Sequence, residues 1–177
     1  LLEAVRLGTA PAALLLAGGL FWITESFQVD ADRFGWIAIP AVVGLAGVLS
    51  VFPAFACWIA VRATRYGLPA ALSLASSWAA FEWLRGHVLT GFPWNLAAYA
   101  LADWSLPAQS ASLVGSYGLG FLLVLSASLA GLSLVPEDRH LARQRIAGAA
   151  VILFAVAGFG AARLGLSDMP AERGTQI

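Results

Sequence analysis

FGWIAIPAVVGLAGVLSVFPAFACWIAV, running from Phe34 to Val61, contains no charged residue. A helix needs roughly 20 mostly apolar residues to cross about 30 Å of hydrocarbon, so this stretch can span a bilayer with residues to spare. A second uncharged run extends from Trp104 to Pro136. The whole chain is 60% hydrophobic and 11% charged, with a mean hydropathy of +0.81. A soluble domain carries about 25% charged residues. A domain of roughly 150 residues still leaves much of its surface outside its core. Lipid is therefore the solvent that this composition fits.

Working outward, five segments carry the spanning pattern. They are Thr9 to Thr24, the span within Phe34 to Val61, Leu68 to Arg85, Ala108 to Val135, and Arg145 to Ala162. The expected fold is all-α, a polytopic integral membrane bundle of about five transmembrane helices over residues 1–164. Pro53 should kink the second helix, because it removes a backbone donor and crowds the preceding turn. Neither end reads as a natural terminus, so the chain is expected to be an internal piece of a longer protein.

Arginine placement sets the expected orientation. All ten basic residues are Arg. Arg6, Arg62, Arg65, Arg139, Arg143 and Arg145 fall on one side, and Arg33, Arg85, Arg163 and Arg173 on the other. Arginine-rich loops stay cytoplasmic, which puts the Ile177 end outside. The outer loops are then Glu25 to Gly35 and Gly86 to Pro107. Trp22, Trp36, Trp83, Trp94 and Trp104 gather near that outer edge, where an amphipathic ring prefers the headgroup layer. Ala46, Ser50 and Ala54 share a face of helix two, Ser73 and Ser77 a face of helix three, and Ala108, Ser112, Ser116 and Gly120 a face of helix four. Small side chains let helix backbones approach where no hydrophobic effect operates between them.

Some chemistries find no support. Formal net charge is zero, so a nucleic-acid partner has no electrostatic basis. Cys57 is the single cysteine and lacks a neighbouring base, and neither His87 nor His140 has a second ligand at metal spacing. No nucleophile, metal site or cofactor is expected here. The ionisable residues at membrane depth are a different matter. Glu82 and Arg85 lie three residues apart on one side of a helix, and such residues cost several kcal/mol unless paired, hydrated or near an interface. Arg also suits a lipid phosphate, because its planar fork donates two parallel hydrogen bonds. Gly91 permits unusual backbone angles, and Pro93 suits the first turn of a new helix. That break should hold Phe92 and Trp94 in fixed directions at the lipid surface.

The stretch Glu82-Trp83-Leu84-Arg85-Gly86-His87-Val88-Leu89-Thr90-Gly91-Phe92-Pro93-Trp94 resembles the E-x-L-R-G-x-x-x-T-G-F-P-W pattern of the apolipoprotein N-acyltransferases, with Tyr99 where that family has a tyrosine. Leu113 to Leu122 resembles its G-x-Y-G-x-x-F-L segment, with Gly120 in place of a small hydroxyl residue and His87 in place of an aromatic. The resemblance implies a multi-pass enzyme of the bacterial inner membrane. Its acyl-transfer triad of Glu, Lys and Cys belongs to a periplasmic nitrilase-like domain, into which residues 165–177 would lead. The implied partners are a phospholipid acyl donor, an apolipoprotein acceptor and the bilayer, with the protein acting as a monomer. Glu82, Arg85, Phe92, Trp94, Asn95 and Tyr99 become candidates for substrate or lipid contact, Glu82 by orienting Arg85. No catalytic residue is expected within this chain. A small transporter or channel-like protein is the alternative, and it would need polar residues lining a path at mid-depth.

Overall fold

The computed structural model describes residue 14 and residues 16–64, 69–88, 90–134 and 139–166. Every regular element among them is helical. Three helices are long and apolar enough to cross a membrane by length and composition: Phe21–Thr64, Ala111–Leu132 and Arg139–Gly165. The protein is an all-helical membrane bundle.

The first expected span, Thr9 to Thr24, lies largely outside the described residues; residues 16–19 are helical. The expected outer loop from Glu25 to Gly35 is not a loop. It is the 3₁₀ helix Phe21–Asp30, the short helix α1 (Ala31–Phe34) and the 3₁₀ turn Gly35–Ile37. Polar groups are satisfied locally along it, so helical structure persists despite the charges. Thr24 Oγ1 donates to Phe21 O at 2.7 Å, Trp36 Nε1 donates to Arg33 O at 3.2 Å, and the Arg33 guanidinium stands 5.3 Å from the Phe34 ring centre.

The long apolar run divides into α2 (Ala38–Leu49) and α3 (Val51–Thr64), separated at Ser50. The interruption falls in the turn before Pro53, where a proline has no N–H to give and its ring crowds the chain. Ser50 itself holds the join, its Oγ donating to Gly47 O at 2.7 Å. Next come α4 (Ala70–His87), the 3₁₀ helix Ala97–Leu101, the single-turn α5 (Ser105–Ala108), α6 (Ala111–Leu132) and α7 (Arg139–Leu166). The last helix starts earlier than the expected Arg145. Arg145 Nη1 donates to Leu132 O at 2.8 Å, so this cation caps the C-terminal end of α6 from inside α7.

Packing uses small residues. Ala46, Ser50 and Ala54 are buried, as are Ser73 and Ser77, in agreement with the faces expected for helices two and three. The four-residue stripe from Ala108 to Gly120 is not one face. Ala108 belongs to α5, and Gly115 inside α6 takes φ 70 and ψ 174, a conformation only glycine adopts readily. That break rotates Ser112 away from Gly120. Close approach between α5 and α7 replaces it: Ser110 Oγ donates to Val156 O at 2.9 Å, and a Cβ at Gly160 would overlap the Leu106 carbonyl.

Two apolar clusters form the core. One gathers Leu16, Leu20, Val42, Ala46 and Leu49, and Phe92 packs against it. The other joins Ala98, Leu119 and Val156, with Leu101 and Leu122 against it. The connection from α4 to α5 thus contributes a side chain to both. Large apolar residues outside these clusters, such as Ile39, Val43, Val151 and Phe154, are exposed and suit a lipid surround.

Candidate functional site

The site grows from the end of α4. Its last turn closes with Val88 N donating to Leu84 O at 2.8 Å. The chain then folds back, with Phe92 N donating to Arg85 O at 2.9 Å. Gly91 allows this at φ 77, and a Cβ there would stand 2.5 Å from Gly86 O. Gly86 is required by a second neighbour, because the Tyr117 hydroxyl fills the space where its side chain would stand. These two contacts explain a glycine at each position.

Pro93 does not open a helix, contrary to expectation. Asn95 follows in the left-handed region at φ 54, and Leu96 is extended. Helical structure resumes only at Ala97. There the Glu82 carboxylate takes over, with Oε1 accepting the Ala97 N–H at 2.7 Å. An acid at a helix N-terminus satisfies an otherwise orphaned donor. The same Oε1 accepts from Trp78 Nε1 at 3.1 Å, one turn back on α4.

Arg85 reaches the same segment by another route, its Nη2 donating to Asn95 O at 3.2 Å. Glu82 and Arg85 are 6% and 4% exposed. No hydrogen bond joins them directly. The expectation that Glu82 orients Arg85 is therefore replaced by a different arrangement, in which each holds the 95–97 segment separately. The reason is reach: Glu82 Oε1 already serves two donors, and Oε2 turns toward Gly120. Glu82 Oε2 and Arg85 Nε are buried and without hydrogen-bond partners among the described residues.

Beside this pair lies a cavity of about 200 Å³. Glu82, Arg85 and Asn95 line one part of it, and Leu16, Phe52 and Phe81 another. Asn95 also packs its side-chain amide over Gly19.

The six candidate residues do not form one cluster. Glu82, Arg85 and Asn95 meet at the cavity. Phe92 packs into the first core cluster rather than at the surface. Trp94 and Tyr99 are 50% and 46% exposed. The Trp94 ring meets Trp22 edge-on at 5.9 Å between centroids, and Tyr99 Oη donates to Pro93 O at 3.1 Å. His87 stacks on Trp83 at 4.4 Å, with Nδ1 2.7 Å from Trp83 O. Trp78 and Tyr117 were missed as site residues. Trp78 was findable, since it stands one helical turn before Glu82 with an indole donor. Among the described residues no group of His, Cys, Asp and Glu is arranged to hold a metal ion.

A family model described as the N-terminal domain of apolipoprotein N-acyltransferase matches residues 2–129. The chain belongs to this family. Its relatives include apolipoprotein N-acyltransferases of Bradyrhizobium diazoefficiens, 42% identical over 160 residues, and of Rhodopseudomonas palustris, 41% identical over 152. These alignments cover 90% and 84% of this chain but only 30% and 28% of the relatives. The apolipoprotein N-acyltransferase of Caulobacter vibrioides is 40% identical over 150 residues, covering 82% of this chain and 27% of its own. The chain thus spans under a third of the length of the relatives it matches. No solved structure matches it. The match to the apolipoprotein N-acyltransferase N-terminal domain contains the whole Glu82 to Tyr99 segment, so the cavity and the aromatic rim both lie in the family's own region.

Proposed function

We propose that this chain is the membrane part of an enzyme that moves a fatty acyl chain from a phospholipid to the amino group of an N-terminal diacylglyceryl-cysteine on bacterial apolipoproteins. The match over residues 2–129 carries this reading and disfavours a transporter. Residues 1–164 form the helical domain. Residues 165–177 lead into a periplasmic nitrilase-like domain whose Cys receives the acyl chain as a thioester and releases it to the acceptor amine. The protein sits in the inner membrane with the Gly86 to Pro107 edge outward. Acyl transfer itself uses no side chain of this chain.

The division of labour follows the geometry. Trp94 and Tyr99 are exposed, and aromatic residues of this type anchor at the headgroup layer. Glu82 and Arg85 hold the segment that presents them, from below. Phe92 fixes that segment in the core. In the full-length enzyme, Arg85→Ala should lower acyl transfer to a diacylglyceryl lipopeptide in proteoliposomes at least tenfold while membrane insertion stays normal. Unchanged transfer at equal abundance would remove Arg85 from the site.

A further inference from the structure

Arginine presents five N–H donors. Arg85 gives one of its bonds to Asn95 O, and its buried Nε has no acceptor. Leaving a buried cation short of acceptors costs several kcal/mol. Glu82 offsets the charge from nearby but lends Arg85 no acceptor, because Oε1 is occupied by Trp78 and Ala97 while Oε2 faces Gly120. The formal charges cancel, so what the guanidinium lacks is a neutral oxygen acceptor rather than another anion.

The cavity beside it sets the rest of the occupant's chemistry. At about 200 Å³, it falls below the roughly 300–1,000 Å³ that encloses a whole drug-sized molecule. It fits one end of a longer molecule. Its volume equals roughly six or seven waters at about 30 Å³ each. Each buried water needs two to four polar partners, and the walls at Leu16, Phe52 and Phe81 offer none. An oxygen at the Arg85 end followed by hydrocarbon satisfies both parts.

We propose that the cavity receives the carbonyl end of a phospholipid acyl chain, its ester oxygen accepting from Arg85 and its first methylenes lying against Phe52 and Phe81. This rests on the acyltransferase reading for the donor's identity. A free fatty acid carries the same carbonyl on the same chain but adds an anionic charge.

The test uses the full-length enzyme in nanodiscs. One sample contains a phospholipid with a photoreactive diazirine close to the ester; another contains the free fatty acid bearing the same group. Irradiation and peptide mass spectrometry should locate lipid adducts on Phe52, Trp78 or Phe81. Arg85→Gln should reduce them at least fivefold, and so should Phe52→Trp, which fills the cavity and keeps every polar group. Absence of adducts at these residues in the unmodified enzyme, or adducts unaffected by Phe52→Trp, overturns the proposal. Adducts from the free acid alone overturn the ester assignment. Acyl transfer to a lipopeptide is measured on the same samples: transfer without cavity adducts sinks the niche alone, whereas adducts without any transfer sink the enzymatic reading and leave the niche standing.

Discussion

Gly120 faces the second oxygen of Glu82: a Cβ built on it would stand 3.3 Å from Oε2, with Ala98 N at 3.5 Å. That oxygen is buried and has no donor. The absence of a side chain on α6 therefore leaves the carboxylate half satisfied. In the relatives that the motif resembles, a small hydroxyl is common at this place, and the geometry gives it a job.

Replacing Gly120 separates two effects. Alanine gains about 1 kcal/mol of helix propensity over glycine but crowds Oε2. Serine has lower propensity than alanine by up to about 0.7 kcal/mol. A hydroxyl donor to the carboxylate outweighs this, since a hydrogen bond to a charged group contributes about 1.5–3 kcal/mol. Gly120→Ser should therefore be about 1 kcal/mol more stable than Gly120→Ala in detergent unfolding. Serine no better than alanine would mean that Oε2 already has a donor.

Glu82 should act on a distant backbone group. Glu82→Ala removes the acceptor for Ala97 and strands Arg85, and breaking a buried charged pair costs about 3–5 kcal/mol. Glu82→Gln keeps the oxygen that Ala97 and Trp78 use. Hydrogen exchange at the Ala97 amide should accelerate at least tenfold in Glu82→Ala and little in Glu82→Gln. Equal protection in both variants would show that the Ala97 turn is held by something else.

Gly86 and Tyr117 should be coupled. Gly86→Ala drives a methyl into the Tyr117 hydroxyl, and overpacking of this kind costs about 1–3 kcal/mol. Tyr117→Phe removes the offending oxygen, while the next ring atom stands at 3.5 Å. The double variant should recover most of the loss. Additive losses in thermal unfolding would place the strain elsewhere.

The exposed aromatic pair should matter for lipid rather than for folding. Trp94→Ala gives up an edge-on contact with Trp22 worth about 0.5–1.5 kcal/mol. Unfolding should shift by no more than that, while transfer activity of the full-length enzyme falls several-fold. A variant with full activity would make the rim an ordinary interfacial belt.

Much of the bundle was readable in advance because lipid imposes simple demands on composition. The charge-free run predicted α2 and α3, and the spacing of Ala46, Ser50 and Ala54 predicted a buried face. Gly91 was read as a special backbone position and has φ 77. The misreadings share one cause. Glu25 to Gly35 looked like a loop because charges were taken to exclude helix, yet its polar groups bond locally. Pro93 looked like a helix start, but the decisive acceptor is Glu82, 15 residues away from Ala97. A bond across a connection leaves no periodic mark. Nor does a single glycine such as Gly115 announce that it will cut a small-residue stripe in two.

Phe92 seats against residues from Leu16 to Leu49, whereas Ala98 seats against Leu119 and Val156. Half of this short crossover can settle on helices already made, and the other half must wait for a strand of chain synthesised nearly sixty residues later. Insertion into the bilayer thus leaves the aromatic edge unfinished until the last helix arrives, and a ribosome stalled before Val156 would leave Ala98 without its seat.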